Sequence, residues 1–220
     1  LSRELGKIAA FAKGARRPNS HLIGVTRPFI FGTFEVYRGR DSYTIQKANV
    51  TNYFEELVSD LDGVLYGYYF AELAEYYGRE NLDAADMINL LYVAFKALVN
   101  KSLPNELVRY IYEIRLIAVN GECPDFFSCA GCGSEKELQL YSYKENGMYC
   151  VECAASSGDG IVLQSSTLYT LQYIITAPLT KLFNFVVKAD VLNELKKVVN
   201  RIEFITFDKH FKSKEMLDIG

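Results

Sequence analysis

The stretch CAGCGSEKELQLYSYKENGMYCVECA (residues 129–154) places four of the chain's five cysteines in two CxxC pairs. The pairs are separated by 17 residues, from Gly133 to Tyr149. This spacing lies within the range that indicates a zinc site, because two short turns can each supply two thiolates to a tetrahedral ion without strain. The pattern predicts a structural zinc ion with four ligands: Cys129, Cys132, Cys150 and Cys153.

Three other chemistries compete with structural zinc: disulfides, a redox-active CxxC motif and an iron-sulfur cluster. Disulfides persist in oxidising compartments, and no secretion signal is visible, so we expect reduced thiols. Redox motifs normally follow a strand at the start of a helix, and neither pair has that setting. A catalytic zinc keeps one position for water, whereas four cysteines fill the shell. The fifth cysteine, Cys123, is interpreted as a partly buried free thiol.

The composition is that of a globular protein with one large domain or two smaller ones. The chain has 220 residues, of which 50% are hydrophobic. No apolar run approaches the roughly 18 residues that a membrane helix requires. We therefore expect a soluble protein with no membrane partner.

The formal net charge of −3 is unevenly distributed. Residues 1–40 carry eight basic and two acidic side chains, residues 41–180 carry eight and 19, and residues 181–214 carry eight and four. A basic N-terminal region and a basic C-terminal tail thus flank an acidic middle. This asymmetry favours a polyanionic partner, although an ordinary solvated surface would have the same composition.

The first fifty residues have the pattern of a small β unit. KIAAFAK (residues 7–13) alternates in the manner of a strand, and GARRPNS follows as a turn. PFIFGTFEVYRGRDSYTIQKANV (residues 28–50) predicts a hairpin around a turn at residues 38–41.

Past residue 51 the apolar positions change to a helical period. NELVRYIYEIRLIAV (residues 105–119) has one apolar stripe, with Pro104 able to open the helix and Gly121 able to end it. Residues 61–77, 84–100 and 191–207 predict three more helices. We interpret the stripes as helix packing and not as a cofactor motif. The cysteine pairs lie between helical blocks, so the metal is expected to fix a β excursion that lacks its own core.

Four strings resemble, in order, the bacterial RecO family of DNA repair proteins: LSRELGKIAAFAKGARRPNS, the hairpin after Pro28, the helix ending in YEIRLIAVNGECPDFFSCAGCG, and KHFKSKEML. The resemblance covers essentially the whole chain. Its most specific part is ELGK…AKGARRPNS followed by the double CxxC. It implies an α+β fold with an N-terminal OB-fold-like β-barrel and an α-helical domain that carries an inserted four-cysteine zinc-binding β-hairpin. Since the chain opens at Leu1 in what corresponds to the middle of the family's barrel, we expect the first strand to be absent.

The expected domains are residues 1–50, an OB-fold-like nucleic-acid-binding domain; residues 51–122 with 161–220, the α-helical domain; and residues 123–160, the zinc-binding insertion. The resemblance implies binding to single- and double-stranded DNA and annealing of complementary strands. It also implies work with RecR to load RecA onto strands coated by single-strand binding protein, in a bacterial, nucleoid-associated cytoplasmic setting. The alternative is a zinc-stapled helical adaptor that acts only through protein contacts.

An OB-type barrel binds nucleic acid through a basic groove and aromatic stacking platforms. The basic residues expected to contact DNA are Lys7, Lys13, Arg16, Arg17 and Arg27. Phe11 is the candidate stacking residue, with core packing as its other interpretation. Five phosphate contacts on a single strand would give a log-log salt slope of roughly −3.5.

A second basic cluster comprises Lys209, His210, Lys212 and Lys214. One interpretation is a solvated helix end, where cations favour the helix dipole. By family analogy, the cluster would instead extend the DNA surface or contact the acidic C-terminal tail of single-strand binding protein.

Enzymatic functions have little support in the sequence. The two histidines, His21 and His210, lie in no recognisable nucleophile or metal motif, and neither a P-loop nor a dinucleotide fingerprint is present. The zinc deaminase pattern is also missing. We predict that the protein is not an enzyme.

Overall fold

Short strands and helices form an α+β arrangement, as predicted. The structure, a computed structural model, describes residues 1–40, 42–156 and 158–219. Asp41 of the predicted hairpin turn lies outside the described residues, as do Ser157 and Gly220 of the predicted domains. The strands are β1 (Ala10–Phe11), β2 (Phe31–Arg38), β3 (Tyr43–Asn52), β4 (Leu138–Ser142), β5 (Gly147–Cys150) and β6 (Gly160–Val162). The helices are α1 (Glu55–Ser59), α2 (Leu61–Tyr77), α3 (Ala85–Asn100), α4 (Asn105–Val119), α5 (Ser165–Thr176), α6 (Ala189–Thr206) and α7 (Lys212–Ile219).

The chain divides into two compact units. The first comprises Leu1–Asn100 with Phe211–Gly220, and the second comprises Lys101–His210. The predicted limits of the three domains, at residues 50, 122 and 160, stay predictions.

The first unit begins with a three-stranded sheet in the order β1-β3-β2. β2 pairs with β3 in antiparallel orientation from Phe31 to Arg38, which confirms the predicted hairpin. β1 pairs with β3 in parallel through Ala10 and Phe11. Within the described residues of this unit the sheet is open, and its three strands do not close into a barrel.

The strand predicted over residues 7–13 is much shorter than expected. Only Ala10–Phe11 pairs with β3. Before it, Gly6 forms a bridge with Glu80 beyond α2. After it, the N–H of Ala15 donates to the carbonyl of Ala12 at 3.2 Å, where the next turn begins. Both ends of the segment are therefore bonded to partners other than β3.

Aromatic rings attach the base of the β2–β3 hairpin to α3. The rings of Phe29 and Phe54 lie 5.1 and 5.5 Å from that of Phe95, measured between centroids. Phe31 of β2 lies 5.9 Å from the same ring. These are edge-on contacts, which aromatic pairs prefer. The base of the hairpin is thus part of the core. Further along the sheet, Tyr43 is buried on one face, the inner face, and its neighbour Thr44 lies on the opposite, outer face.

Helix α7 packs on α2 within the first unit. The ring of Phe211, immediately before α7, is buried 6.1 Å from Tyr69 and 5.6 Å from Tyr76. The carboxylate of Glu72 accepts the backbone N–H of Ser213 at 3.1 Å. This bond satisfies an N–H of the first helical turn, which has no partner inside the helix.

Helix α4 forms the centre of the second unit. Pro104 directly precedes it, and Gly121, with φ of 77°, donates its N–H to the carbonyl of Ala118 at 3.0 Å. Both predicted helix boundaries are confirmed. Helix α2 also has the predicted limits, whereas α3 and α6 differ from theirs by one or two residues, as helix ends commonly do.

A buried charge cluster joins α4 to α6. The Arg109 Nε lies 2.7 Å from the Glu113 carboxylate, and another Arg109 nitrogen lies 3.8 Å from the Glu203 carboxylate. Burial, together with the negative charge of Glu203, raises the pKa of Glu113. One guanidinium therefore lies near two carboxyl groups, and the burial of Glu113 beside Glu203 favours the protonated form of Glu113.

Candidate metal centre and nucleic-acid interface

The β4–β5 hairpin positions the two cysteine pairs. The first CxxC turn is fastened to β5, because the N–H of Ala130 donates to the carbonyl of Met148 at 2.8 Å. Cys150 ends β5, and Cys153 follows one turn later. The hairpin thus brings together residues that are far apart in sequence.

The four predicted ligands converge on one point. The Sγ atoms of Cys129, Cys132, Cys150 and Cys153 all lie within 4.8 Å of one another. The Sγ atoms of Cys132 and Cys150 are 3.8 Å apart. Cys129 and Cys150 are buried, whereas Cys132 is exposed. Four sulfur atoms at these distances could hold a metal ion.

Two of the thiols differ sharply in acidity. Burial raises the pKa of Cys129, but backbone N–H groups, led by that of Cys150 at 3.3 Å, outweigh burial and lower it to about 6. Hydrogen bonds that the protonated Cys153 thiol donates to Cys132 and Cys150 raise its pKa to about 12. A cation binding to all four sulfurs would therefore displace protons.

The fifth cysteine lies outside this cluster. Cys123 is half-buried, and burial, with a smaller contribution from the charge of Asp125, raises its pKa to about 12. It is not among the four sulfurs that converge. An inert, partly buried thiol fits its predicted interpretation.

The hairpin is anchored to the helices of the second unit. The Phe126 ring stacks on Tyr141 of β4 at 5.8 Å, with 26° between the planes. Gln172 of α5 donates to the carbonyl of Phe126 at 2.8 Å, and Arg201 of α6 donates to that of Tyr143 at 3.1 Å. A fixed hairpin gives the cysteine cluster a defined geometry.

The outer face of the N-terminal sheet carries two exposed aromatic rings in one row. Thr44 of β3 is paired on one side with Tyr37 of β2 and on the other with Phe11 of β1. Residues paired across strands present their side chains on the same face. Phe11 is 62% exposed and Tyr37 65%. Core packing, the alternative for Phe11, does not hold, and Tyr37 was missed because the sequence does not reveal strand register.

A basic concavity follows β1 directly. It has a volume of about 580 Å³ and is lined by Ala12, Gly14, Ala15, Arg16, Arg17 and Thr26. Gly14 has φ of 78°, a conformation that favours glycine, and its carbonyl accepts the N–H of Arg17 at 2.9 Å. The structure thus brings Arg16 and Arg17 to one concavity, and Arg27 is exposed beside it in sequence.

The two predicted lysines differ from the arginines. The Nζ of Lys7 lies 2.9 Å from the carboxylate of Glu75 in α2. Lys13 is exposed and lies in sequence between Ala12 and Gly14, which line the concavity. Four of the five predicted basic residues are therefore available for phosphate contacts, and Lys7 stays a candidate that would first have to leave its exposed ion pair with Glu75.

Two family profiles together match nearly the whole chain. The profile described as Recombination protein O C terminal matches residues 58–215, and that described as Recombination protein O N terminal matches residues 1–54. The chain belongs to the RecO family. The resemblance inferred from the sequence is confirmed.

RecO relatives align along most of their own length. The chain is similar to the DNA repair protein RecO of Acetivibrio thermocellus, with 31% identity over 99% of this chain and 87% of the relative. Proteins of the same name from Oceanobacillus iheyensis and Bacillus subtilis are 29% and 27% identical. Those alignments cover 99% of this chain and 84% and 85% of the relatives.

The second basic cluster of this RecO-family chain is divided between the units. Lys209 and His210 end the second unit, whereas Lys212 and Lys214 lie in α7 of the first. Helix α6 ends at Thr206, before the cluster begins. In the described ranges, none of the helices combines the length and the hydropathy needed to span a membrane.

Proposed function

We propose that this RecO-family chain acts in DNA repair and recombination by binding single- and double-stranded DNA and annealing complementary strands. The observation that carries the proposal is the row of Phe11 and Tyr37 beside the concavity of Arg16 and Arg17. Exposed rings offer stacking platforms for bases of any sequence, and a basic groove follows the phosphates. The family relationship supports the same role, since its relatives are named as DNA repair proteins.

The open N-terminal sheet is proposed to serve as the nucleic-acid face of an OB-type domain. Its inner face carries Tyr43 of β3, which is buried. Its outer face presents Phe11 and Tyr37. This division supports DNA binding on the outer face. Annealing on such a surface requires no covalent step, because neutralising the phosphates lowers the repulsion between two strands.

The ion proposed for the cysteine cluster is a structural Zn²⁺. Zinc-sulfur bonds of about 2.3 Å give a tetrahedron whose sulfur atoms are about 3.8 Å apart. The Sγ atoms of Cys132 and Cys150 have that separation, 3.8 Å. Four cysteines complete the tetrahedral shell, so the ion would hold the two CxxC turns together and supply no reaction.

The proposed partners are those of a recombination mediator. With RecR, the chain would help to load RecA onto DNA coated by single-strand binding protein. The acidic C-terminal tail of that protein would require an apolar groove rimmed by cations. Lys209, His210, Lys212 and Lys214 are proposed as contacts for this tail or for DNA. The proposed location is the bacterial cytoplasm, in association with the nucleoid.

An annealing assay tests this function against the protein-adaptor alternative. Two complementary oligonucleotides labelled with a fluorophore and a quencher would be mixed with the protein, bare or coated by single-strand binding protein. We expect faster annealing with the protein and slower annealing with an Arg16→Glu/Arg17→Glu variant. Annealing at the spontaneous rate, from a folded and metal-loaded sample that still binds RecR, would instead support the adaptor.

A further inference from the structure

Phe204 in α6 is a large apolar side chain on the exposed side of its helix. The buried stripe of this helix consists of Val191, Leu195, Val198, Val199 and Ile202. Phe204 lies off that stripe and is 77% exposed. A single exposed apolar residue is common, so the surroundings of the ring decide what it can do.

A fixed guanidinium lies against this ring. The Arg201 Cζ is 5.5 Å from the ring centroid of Phe204 and 5.8 Å from that of Tyr143. Two nitrogens of Arg201 donate to the carbonyl of Tyr143, immediately after β4. The hydrogen bonds hold the cation in place, and both rings lie at cation–π distance from it. The hairpin and α6 thus form one aromatic and cationic surface.

Most of the charges around this surface are positive, with Glu145 and Asp208 as the exposed carboxylates next to it. Lys197 is exposed one turn before Arg201 on the same side of α6. From Lys196 onward, the only acidic residue of α6 is Glu203, which is buried beside Arg109. Lys144 follows Tyr143 and is also exposed, although it pairs with Glu145 at 3.1 Å. An anionic partner would find cations here and no exposed carboxylate on the second half of the helix.

We propose that Phe204, Arg201 and Tyr143 form a second stacking platform for single-stranded nucleic acid, with Lys197 contacting an adjacent phosphate. This proposal rests on the DNA-binding function proposed above and adds a binding site in the second unit. An exposed ring backed by a cation suits a nucleobase, which stacks on an open face. An acidic, apolar peptide would instead require a groove for its side chains, and a ring that is 77% exposed is a poor groove wall.

Photocrosslinking locates the site directly. A single-stranded oligonucleotide with 5-iodouracil in place of thymine would be irradiated with the full chain, and tryptic peptides would be mapped by mass spectrometry. We expect crosslinks in residues 202–209 or 137–144, which contain Phe204 and Tyr143, as well as in the N-terminal sheet.

The matched variants are Phe204→Ala and Tyr169→Ala. Tyr169 is also exposed in the second unit, at 66%, and its ring lies near that of Tyr173 instead of a cation. We expect Phe204→Ala to weaken binding of a long single strand by roughly five-fold or more without changing the melting temperature. Tyr169→Ala is expected to leave binding unchanged, and Phe204→Tyr to retain it.

The outcomes separate this inference from the function on which it rests. Crosslinks confined to residues 1–54, with unchanged binding by Phe204→Ala, would overturn the second platform and leave DNA binding intact. Loss of RecR capture by Phe204→Ala, with DNA binding unchanged, would also overturn it, since the ring would then serve a protein partner. Absence of single-strand binding by the wild-type chain at low salt would overturn both proposals.

Discussion

The cysteine cluster and the outer face of the N-terminal sheet arrange their side chains in opposite ways. In the cluster, four side chains converge within 4.8 Å, and Cys129 and Cys150 are buried. On the sheet, Phe11 and Tyr37 point outward and are mostly exposed. We propose that the first arrangement stabilises the chain by holding a metal ion and that the second presents groups to a partner. Residues that converge are therefore expected to affect stability when changed, and residues that diverge are expected to affect binding alone.

Removing a metal ligand is the strongest test of this contrast. Cys150→Ser is expected to abolish stoichiometric zinc binding and to lower the free energy of unfolding of the second unit by more than about 4 kcal/mol. Zinc content and thermal melting would measure both effects. Cys123→Ser is the matched control and should keep the metal. A Cys150→Ser protein as stable as the wild type would show that the hairpin does not depend on the ion.

Charge reversal in the basic concavity should affect binding and spare stability. Arg16→Glu/Arg17→Glu is expected to weaken binding to a single-stranded oligonucleotide by roughly 100-fold at moderate salt, since two phosphate contacts become repulsive. Fluorescence anisotropy measures the affinity. Lys181→Glu/Lys188→Glu makes the same change in net charge at exposed positions of the second unit and serves as the control. Equal losses in both variants would mean that net charge, and not the concavity, governs binding.

Removing one ring from the sheet should have a smaller effect of a different kind. Tyr37→Ala is expected to weaken single-strand binding by roughly five-fold through the lost base stacking. The slope of affinity against salt should stay the same, because no charge changes. Tyr37→Phe keeps the ring and should bind like the wild type. A change in salt slope with Tyr37→Ala would indicate that the residue acts through phosphate contacts.

The smallest expected effect concerns a contribution to the stability of the second unit that does not involve the metal, namely the protonation of Glu113. The pKa of Glu113 is raised in the folded protein. As the pH rises, Glu113 therefore stays protonated in the folded protein at pH values where it is already ionised in the unfolded chain. Its stabilising contribution is complete below its ordinary pKa of 4.5 and falls as the pH rises towards the folded pKa.

Glu113→Gln should therefore reduce the fall in melting temperature between pH 5 and 8 by a few degrees, in buffers that keep the metal bound. The exposed Glu135→Gln should behave like the wild type. An unchanged pH profile in Glu113→Gln would mean that Glu113 is ionised in the folded protein.

The two regions also differ in how far the sequence predicts them. CxxC spacing identified all four converging cysteines, because the ligands' chemistry and separation in sequence constrain where they can meet. Helical stripes likewise predicted α2 and α4 with accurate limits. The sheet was harder, since the alternation of residues 7–13 does not show that Gly6 bonds beyond α2. Tyr37 required the register of three strands, and the pairing of Lys7 with Glu75 required tertiary structure.

The central claim is that the concavity beside the aromatic row binds phosphates, and the salt dependence of binding tests it most directly. Because Lys7 is paired with Glu75, four contacts remain, and the log-log slope for a single-stranded oligonucleotide should be roughly −2.8. Arg16→Gln/Arg17→Gln removes two of these contacts and should reduce the slope to roughly −1.4. A variant with the slope of the wild type would contradict the account, because the phosphates would then be bound elsewhere.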